Sequence, residues 1–211
     1  MMTTDEGTLT IAAAIAMGLV LAACAGLRAF LPLLALAVAG RTGVMPLAPE
    51  LHWLASTPAL VLLASAVFFE VLADKIPALD HVLDAIGLLA RPLAGGAAAV
   101  IPFLSAGPDG SMIRTLSEGE WGGAPWIAAL TGVLAGGTVT ALVQLAKAAL
   151  RLASTALTGG LANPVVSLIE DGAGATGVVL AIVLPLVAIA LLGAALLTAS
   201  LWVARRGRRS S

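Results

Sequence analysis

The longest uncharged stretch of the chain, residues 172–204, constrains the fold more than any other feature. A helix that crosses a bilayer needs about 20 apolar residues, and this stretch exceeds that length. The whole chain has the same character, since only 11% of its residues are charged, against about 25% in soluble domains. We therefore expect one integral membrane domain over residues 1–211, folded as an all-α bundle of transmembrane helices.

Apolar runs with few charges predict four spanning helices and a candidate fifth. They are Leu9–Leu27, continuing through Pro32 to Ala39, then Thr57–Phe69, Trp121–Ala146 and Gly172–Ala204. The fifth candidate is Asp80–Leu104, because the run after Pro92 is short and crosses only if the preceding turns enter the membrane too. With five spans the N-terminus lies outside, and with four it lies inside.

The arginine-rich tail predicts the orientation of the chain in the membrane. Arg205–Arg209 carries four arginines directly after the last apolar run. Because cytoplasmic segments of membrane proteins are enriched in Lys and Arg, we expect a multi-pass protein of the cell's inner (plasma) membrane with a cytoplasmic C-terminus.

Two parts of the chain, residues 18–73 and 130–200, have a similar pattern and are linked by 74–123. Each has a long helix with basic residues, a Gly/Pro-punctuated stretch with a short amphipathic segment, and a second helix. The similarity has two interpretations, a duplication or a chance likeness between alanine-rich helices. If it is a duplication and the middle segment crosses once, the repeats are inverted and the short segments are re-entrant or interfacial helices. This arrangement is common in secondary transporters.

Five motifs along the chain are similar to those of one known family. They are Gly26–Leu33, Trp53–Leu60, Glu70–Pro77 with Asp80 and Asp84, Arg91–Gly95, and Ser167–Asp171. Together they resemble the bacterial integral-membrane family catalogued as domain of unknown function 4126. The resemblance covers nearly the whole chain and implies a membrane protein. It implies no substrate, because the family has no established activity.

Acidic residues cluster around Pro77, which predicts a break between two helices. Two pairs of carboxylates lie one helical turn apart, with three other ionisable residues nearby: Glu70 and Asp74, Asp80 and Asp84, then Lys75, His81 and Arg91. One interpretation is a site for a cation or for protons, since hard cations prefer oxygen ligands and neighbouring carboxylates raise one another's pKa. The other is a water-exposed loop whose charges cap helix ends.

Basic residues occur inside two of the apolar runs. Arg28 follows a long apolar stretch, and an unpaired guanidinium in hydrocarbon is costly. We predict that Arg28 is buried and balanced by one of four carboxylates, those of Glu70, Asp74, Glu170 or Asp171. Farther along, Gln144, Lys147 and Arg151 share one helix face. They indicate either an anion or lipid-headgroup contact or a basic helix end at the membrane surface, and the second arrangement is the more common.

These features favour a small transporter or channel for an ion or small solute, with a site lined by intramembrane carboxylates. The site would consist of Arg28, Glu70, Asp74, Lys75, Asp80, Asp84, Arg91, Glu170 and Asp171. The expected partners are the lipid bilayer, a cation or small solute and, as an open alternative, a second copy of the chain. Nucleic acid is not expected, because the net charge of −1 offers no basic surface for phosphates.

Two other functional classes stay open. A non-transporting scaffold or lipid-interacting protein would leave the acidic cluster in water and use Gly132 and Gly136 to contact a second protein. An intramembrane lipid-modifying enzyme would use Asp80, His81 and Asp84 as acid–base groups. The sequence has no catalytic motif and no metal-ligand spacing, so neither an enzyme nor a cofactor is expected.

Overall fold

The computed structural model describes residues 4–73, 77–106, 112, 125–159 and 161–207. The side chains of residues 4–10, 77–86, 125, 163–164, 199 and 202–207 lie outside this description. Within the described part the chain is helical and has no strand, which confirms the predicted all-α fold. The elements are α1 Thr4–Leu27, α2 Leu31–Thr42, the 3-10 helix Pro49–Ala55, α3 Thr57–Ala73, α4 Pro77–Leu104, α5 Pro125–Thr158, α6 Asn163–Val183 and α7 Pro185–Gly207.

Several helices are long and apolar enough to cross a bilayer, as expected of a membrane protein. In the described part there are three, with apolar stretches at Gly87–Leu104, Trp126–Thr158 and Val165–Val183. A fourth is obtained if the 3-10 helix and α3, which meet at a bend of 57°, are taken as one span. The predicted fifth segment, Asp80–Leu104, belongs to α4, and this helix continues through Pro92 and Pro102 without a break.

The outward faces of α5, α6 and α7 are rich in exposed leucine. Leu152, Leu168 and Leu197 are examples of side chains whose surface is more than half accessible. Soluble monomers rarely expose contiguous apolar patches of more than a few hundred Å², so such faces suit a lipid environment.

Helix α1 lies at the centre and packs against α4, α5, α6 and α7. Its buried residues are mostly small, such as Ala22 and Ala25, so neighbouring helices approach closely. Thr140 of α5 is fully buried, and its Oγ1 lies 2.7 Å from the carbonyl oxygen of Ala22 and 2.8 Å from that of Gly136. This hydroxyl therefore links α5 directly to the backbone of α1.

The predicted close approach at Gly132 and Gly136 is confirmed, and their neighbour is α4 of the same chain. A Cβ atom on Gly136 would lie only 2.8 Å from the carbonyl oxygen of Gly95, and one on Gly132 would lie 2.9 Å from the side chain of Val100. These glycines permit the α4–α5 contact inside the fold. The contact to a second protein that the scaffold alternative predicts stays a prediction.

Two predicted helices are interrupted in the structure. Helix α1 does not continue to Ala39, because Pro32 lacks an N–H group and its ring would clash with the carbonyl group four residues earlier. The run predicted as one kinked helix over 172–204 is likewise divided, since α6 ends at Val183 and α7 begins at Pro185.

The short amphipathic segment predicted within residues 130–200 is also not a separate element. It forms the first turns of α6, which continues to Val183. Residues 18–73 therefore contain the end of α1, then α2, the 3-10 helix and α3, whereas residues 130–200 contain most of α5, then α6 and most of α7. An inverted repeat between these two parts stays a prediction.

Candidate functional site

The break between α1 and α2 is bound by a carboxylate from α3. Glu70 Oε1 accepts a hydrogen bond of 2.8 Å from the backbone N–H of Ala29, and Oε2 accepts one of 3.4 Å from Phe30. The first N–H groups of a helix have no partner within it and carry its positive dipole end, so a carboxylate is well placed there. Glu70 is buried, and its Oε1 also lies 4.0 Å from the guanidinium Nε of Arg91. Glu70 therefore faces N–H donors and a cation, and the cation or proton site that is one interpretation of the acidic cluster stays a prediction.

Arg28 connects this break to α6. It is only 2% exposed, and its Nε donates a hydrogen bond of 2.6 Å to Asp171 Oδ1, which its Nη2 also contacts. Its Nη1 donates to the backbone oxygen of Glu70 at 3.1 Å. The prediction that Arg28 is buried and balanced by a carboxylate is confirmed. These contacts also bring the ends of α1 and α3 and the start of α6 to the same end of the bundle.

A second ionic centre surrounds Glu170, next to Asp171 in sequence. Glu170 Oε2 lies 3.1 Å from the ammonium group of Lys147 and 3.0 Å from Arg151 Nη2. Lys147 also donates to the carbonyl oxygen of Leu27 at 3.1 Å. Lys147 is buried, and α5 continues past it to Thr158, so it does not lie at the end of a helix.

The two centres form one network that joins five helices. Its described members are Arg28 after α1, Glu70 of α3, Arg91 of α4, Lys147 and Arg151 of α5, and Glu170 and Asp171 of α6. Five of the seven are buried, and Asp171, with 28% of its side chain exposed, and Arg151 lie at the accessible edge. Charges buried at this depth are costly unless opposite charges and hydrogen bonds compensate them, and here both are provided.

A cavity of about 300 Å³ lies beside the network, between α4 and α5. Its polar lining consists of Arg91, Gln144, Lys147 and Arg151, and exposed Leu88 and Leu145 complete much of its wall. A second cavity, of about 360 Å³, lies between α1, α4 and α5 near Val100 and Phe103, and its lining has no charged side chain. Of these two cavities, the first combines open volume with ionic groups.

Four of the predicted site residues cannot be compared with this geometry. Asp74 and Lys75 lie outside the described residues, and Asp80 and Asp84 belong to the first turns of α4 but their side chains are not described. The convergence predicted for the four carboxylates therefore stays a prediction. Among the described residues, no three His, Cys, Asp or Glu side chains come close enough together to hold a metal ion.

Sequence reasoning missed two features of the site. The backbone N–H groups of Ala29 and Phe30 act as donors, and Lys147 and Arg151 share the carboxylate of Glu170. A signal for the first was present in Pro32, which predicts an interrupted helix and hence unpaired N–H groups just before it.

Comparison with known proteins identifies a family for nearly the whole chain. The sequence model of the family described as domain of unknown function (DUF4126) matches residues 15–206, which include every described member of the network. No curated protein and no solved structure matches the chain.

Proposed function

The chain belongs to the DUF4126 family, and we propose that it is a small membrane transporter or channel for an ion or small solute. One observation carries the proposal: buried ionisable side chains from four helices and from the break between α1 and α2 meet beside a cavity. Ionisable residues inside a helical membrane domain mark solute pathways when they face its interior.

The interruption of the helix supports transport more than a purely structural role. In secondary transporters, substrates and coupling ions bind where discontinuous helices expose backbone N–H and C=O groups. Here the start of α2 presents two N–H groups to Glu70, and Leu27, the last residue of α1, presents its carbonyl oxygen to Lys147. A solute that competes for these groups would rearrange contacts between α1, α3 and α5.

Transport is tested with the purified full-length chain in liposomes, using a panel of protons, sodium, potassium, chloride and inorganic phosphate. We expect flux above protein-free liposomes for at least one member. Glu70→Gln should lower that flux about tenfold, because an uncharged amide no longer matches the two N–H donors and Arg91. The matched control is Glu50→Gln, since Glu50 is exposed in the 3-10 helix.

Two results would contradict the proposed transport function. One is the absence of flux for every solute of the panel in liposomes that contain folded protein. The other is an equal flux in the parent and in Glu70→Gln.

We further propose a multi-pass protein of the inner membrane, with four or five spans, repeats at 18–73 and 130–200 in inverted orientation, and a cytoplasmic C-terminus. The excess of arginine at 205–209 supports the orientation. A reporter fused after Ser211 that is active only in the cytoplasm is expected to be active. Activity of a periplasm-specific reporter at the same position would contradict the proposed orientation.

A lipid-interacting protein is the second candidate function. It is favoured by the exposed Leu88 and Leu145, which place apolar surface directly beside the basic residues of the cavity. For the enzyme alternative, the side chains of Asp80, His81 and Asp84 lie outside the described part, and we propose no reaction for the chain.

A further inference from the structure

We infer that the cavity between α4 and α5 is a binding site for an oxyanion, a phosphate group carried either by a free solute or by a lipid. The inference rests on the proposed function for its role in transport, and it names the substrate class of that site. Its basis is the chemistry of the lining, the way the basic groups are held, and the position of the opening.

Every polar side chain in the described lining of the cavity can donate hydrogen bonds. Arg91, Lys147 and Arg151 are cations, and the amide group of Gln144 adds a neutral donor, while no acidic residue is among the described lining residues. Oxyanions have several acceptor oxygens, and charge-assisted hydrogen bonds from guanidinium groups to phosphate are among the strongest in proteins. Every charged side chain of the described lining is positive, which disfavours a cation there.

Contacts outside the cavity hold these basic groups in position. Lys147 is anchored by the carbonyl oxygen of Leu27 and by Glu170, and Arg151 is anchored by the same oxygen of Glu170. Arg91 is buried and lies 4.0 Å from Glu70. Because long flexible side chains lose conformational entropy when a ligand orders them, side chains that are already ordered bind a ligand more strongly.

The size and surroundings of the cavity fit both sources of the phosphate group. A water molecule occupies about 30 Å³ in the liquid, so about 300 Å³ is roughly ten times that volume and holds a phosphate with its remaining hydration. Leu88 and Leu145 line the same cavity and are exposed, so the acyl chains of a lipid would meet apolar side chains while its headgroup meets the basic ones.

The first variant tests the site by occlusion, which leaves every charge in place. Ala148 lines the cavity, and Ala148→Phe would fill it. Its control is Ala146→Phe, which adds the same ring at an exposed position outside the lining. Arg151→Gln removes one cation, with exposed Arg41→Gln as its control. Folding of each variant is checked by its thermal midpoint in detergent without added phosphate.

The first arm measures inorganic phosphate binding to the purified chain by calorimetry, with chloride keeping the ionic strength constant. We expect saturable binding that weakens about tenfold or more in Ala148→Phe and in Arg151→Gln, and that stays unchanged in both controls. The second arm compares nanodiscs of phosphatidylglycerol with nanodiscs of phosphatidylcholine, and counts tightly bound lipid by native mass spectrometry.

Each outcome decides the inference. Phosphate binding that depends on Ala148 and Arg151 assigns the site to a free solute, and phosphatidylglycerol retained by the parent but lost in Ala148→Phe assigns it to a lipid headgroup. If neither probe binds, or if Ala148→Phe binds both as the parent does, the inference is wrong. Binding without flux in liposomes would contradict the transport function and support the oxyanion site. Flux without binding would support the transport function and contradict the oxyanion site.

Discussion

The Arg28→Ala protein is expected to lose about 3–5 kcal/mol of unfolding free energy, the usual cost of removing one partner from a buried ion pair. In the parent, Arg28 donates to Asp171 and to the backbone oxygen of Glu70. The variant leaves both acceptors without this donor at the meeting point of α1, α3 and α6. The measurement is unfolding by sodium dodecyl sulfate in mixed micelles, followed by far-ultraviolet circular dichroism.

A double variant separates the ion pair from other effects of truncation. Arg28→Ala combined with Asp171→Ala should be more stable than Arg28→Ala alone, because the unbalanced carboxylate is gone. Arg41→Ala is the control, since Arg41 is exposed and its Nη1 donates to the backbone oxygen of Ala55. The importance of the pair is refuted if Arg28→Ala unfolds at the same detergent fraction as the parent and as the control.

The burial of Arg28 and a set of four candidate carboxylates could be predicted from the sequence, but not which of the four pairs with it. A single charge inside a long apolar run already implies compensation by another group. The partner depends on how the chain returns after the break. Helix α2 is only 12 residues long, and the last turn of α3 places Glu70 against the break before α2. A simple hairpin of two full-length helices would have placed Glu70 elsewhere. This arrangement is a property of tertiary packing, which apolar periodicity does not encode.

Prolines illustrate the same limit at the level of single helices. Pro32 and Pro185 lie at helix starts, whereas α4 continues through Pro92 and Pro102. In lipid a helix tolerates proline when neighbours satisfy the freed backbone groups, so the outcome at each proline depends on the surrounding helices. The sequence identifies where a break can occur, and the packing decides whether it does.

The partner of Lys147 could not be predicted, because it is distant in sequence. Two basic residues one turn apart after a long apolar run resemble an interfacial anchor. The carboxylate that neutralises them belongs to Glu170, on the next helix, and α5 extends beyond Lys147 to Thr158. The apolar residues between Arg151 and Thr158 are compatible with this extension, but the pairing itself requires the packing of α6 against α5.

The second large effect is expected for Glu170→Leu, which removes the carboxylate shared by Lys147 and Arg151. We expect a loss of about 3–5 kcal/mol, because two neighbouring cations in a buried environment would then lack a common counterion. Glu170→Gln keeps the shape and one acceptor oxygen, so its loss should be smaller, about 1–3 kcal/mol. The difference between these two variants measures how much of the stabilisation comes from charge.

Compensation again provides the decisive control for this centre. Glu170→Leu with Lys147→Met replaces the buried pair by apolar groups of similar length, and should recover part of the loss, whereas Glu50→Leu at an exposed position should stay near the parent. Equal stability of Glu170→Leu and the parent in detergent unfolding would mean that Lys147 and Arg151 do not depend on this carboxylate. The network at α5 would then be held by its remaining contacts, such as that between Lys147 and the carbonyl oxygen of Leu27.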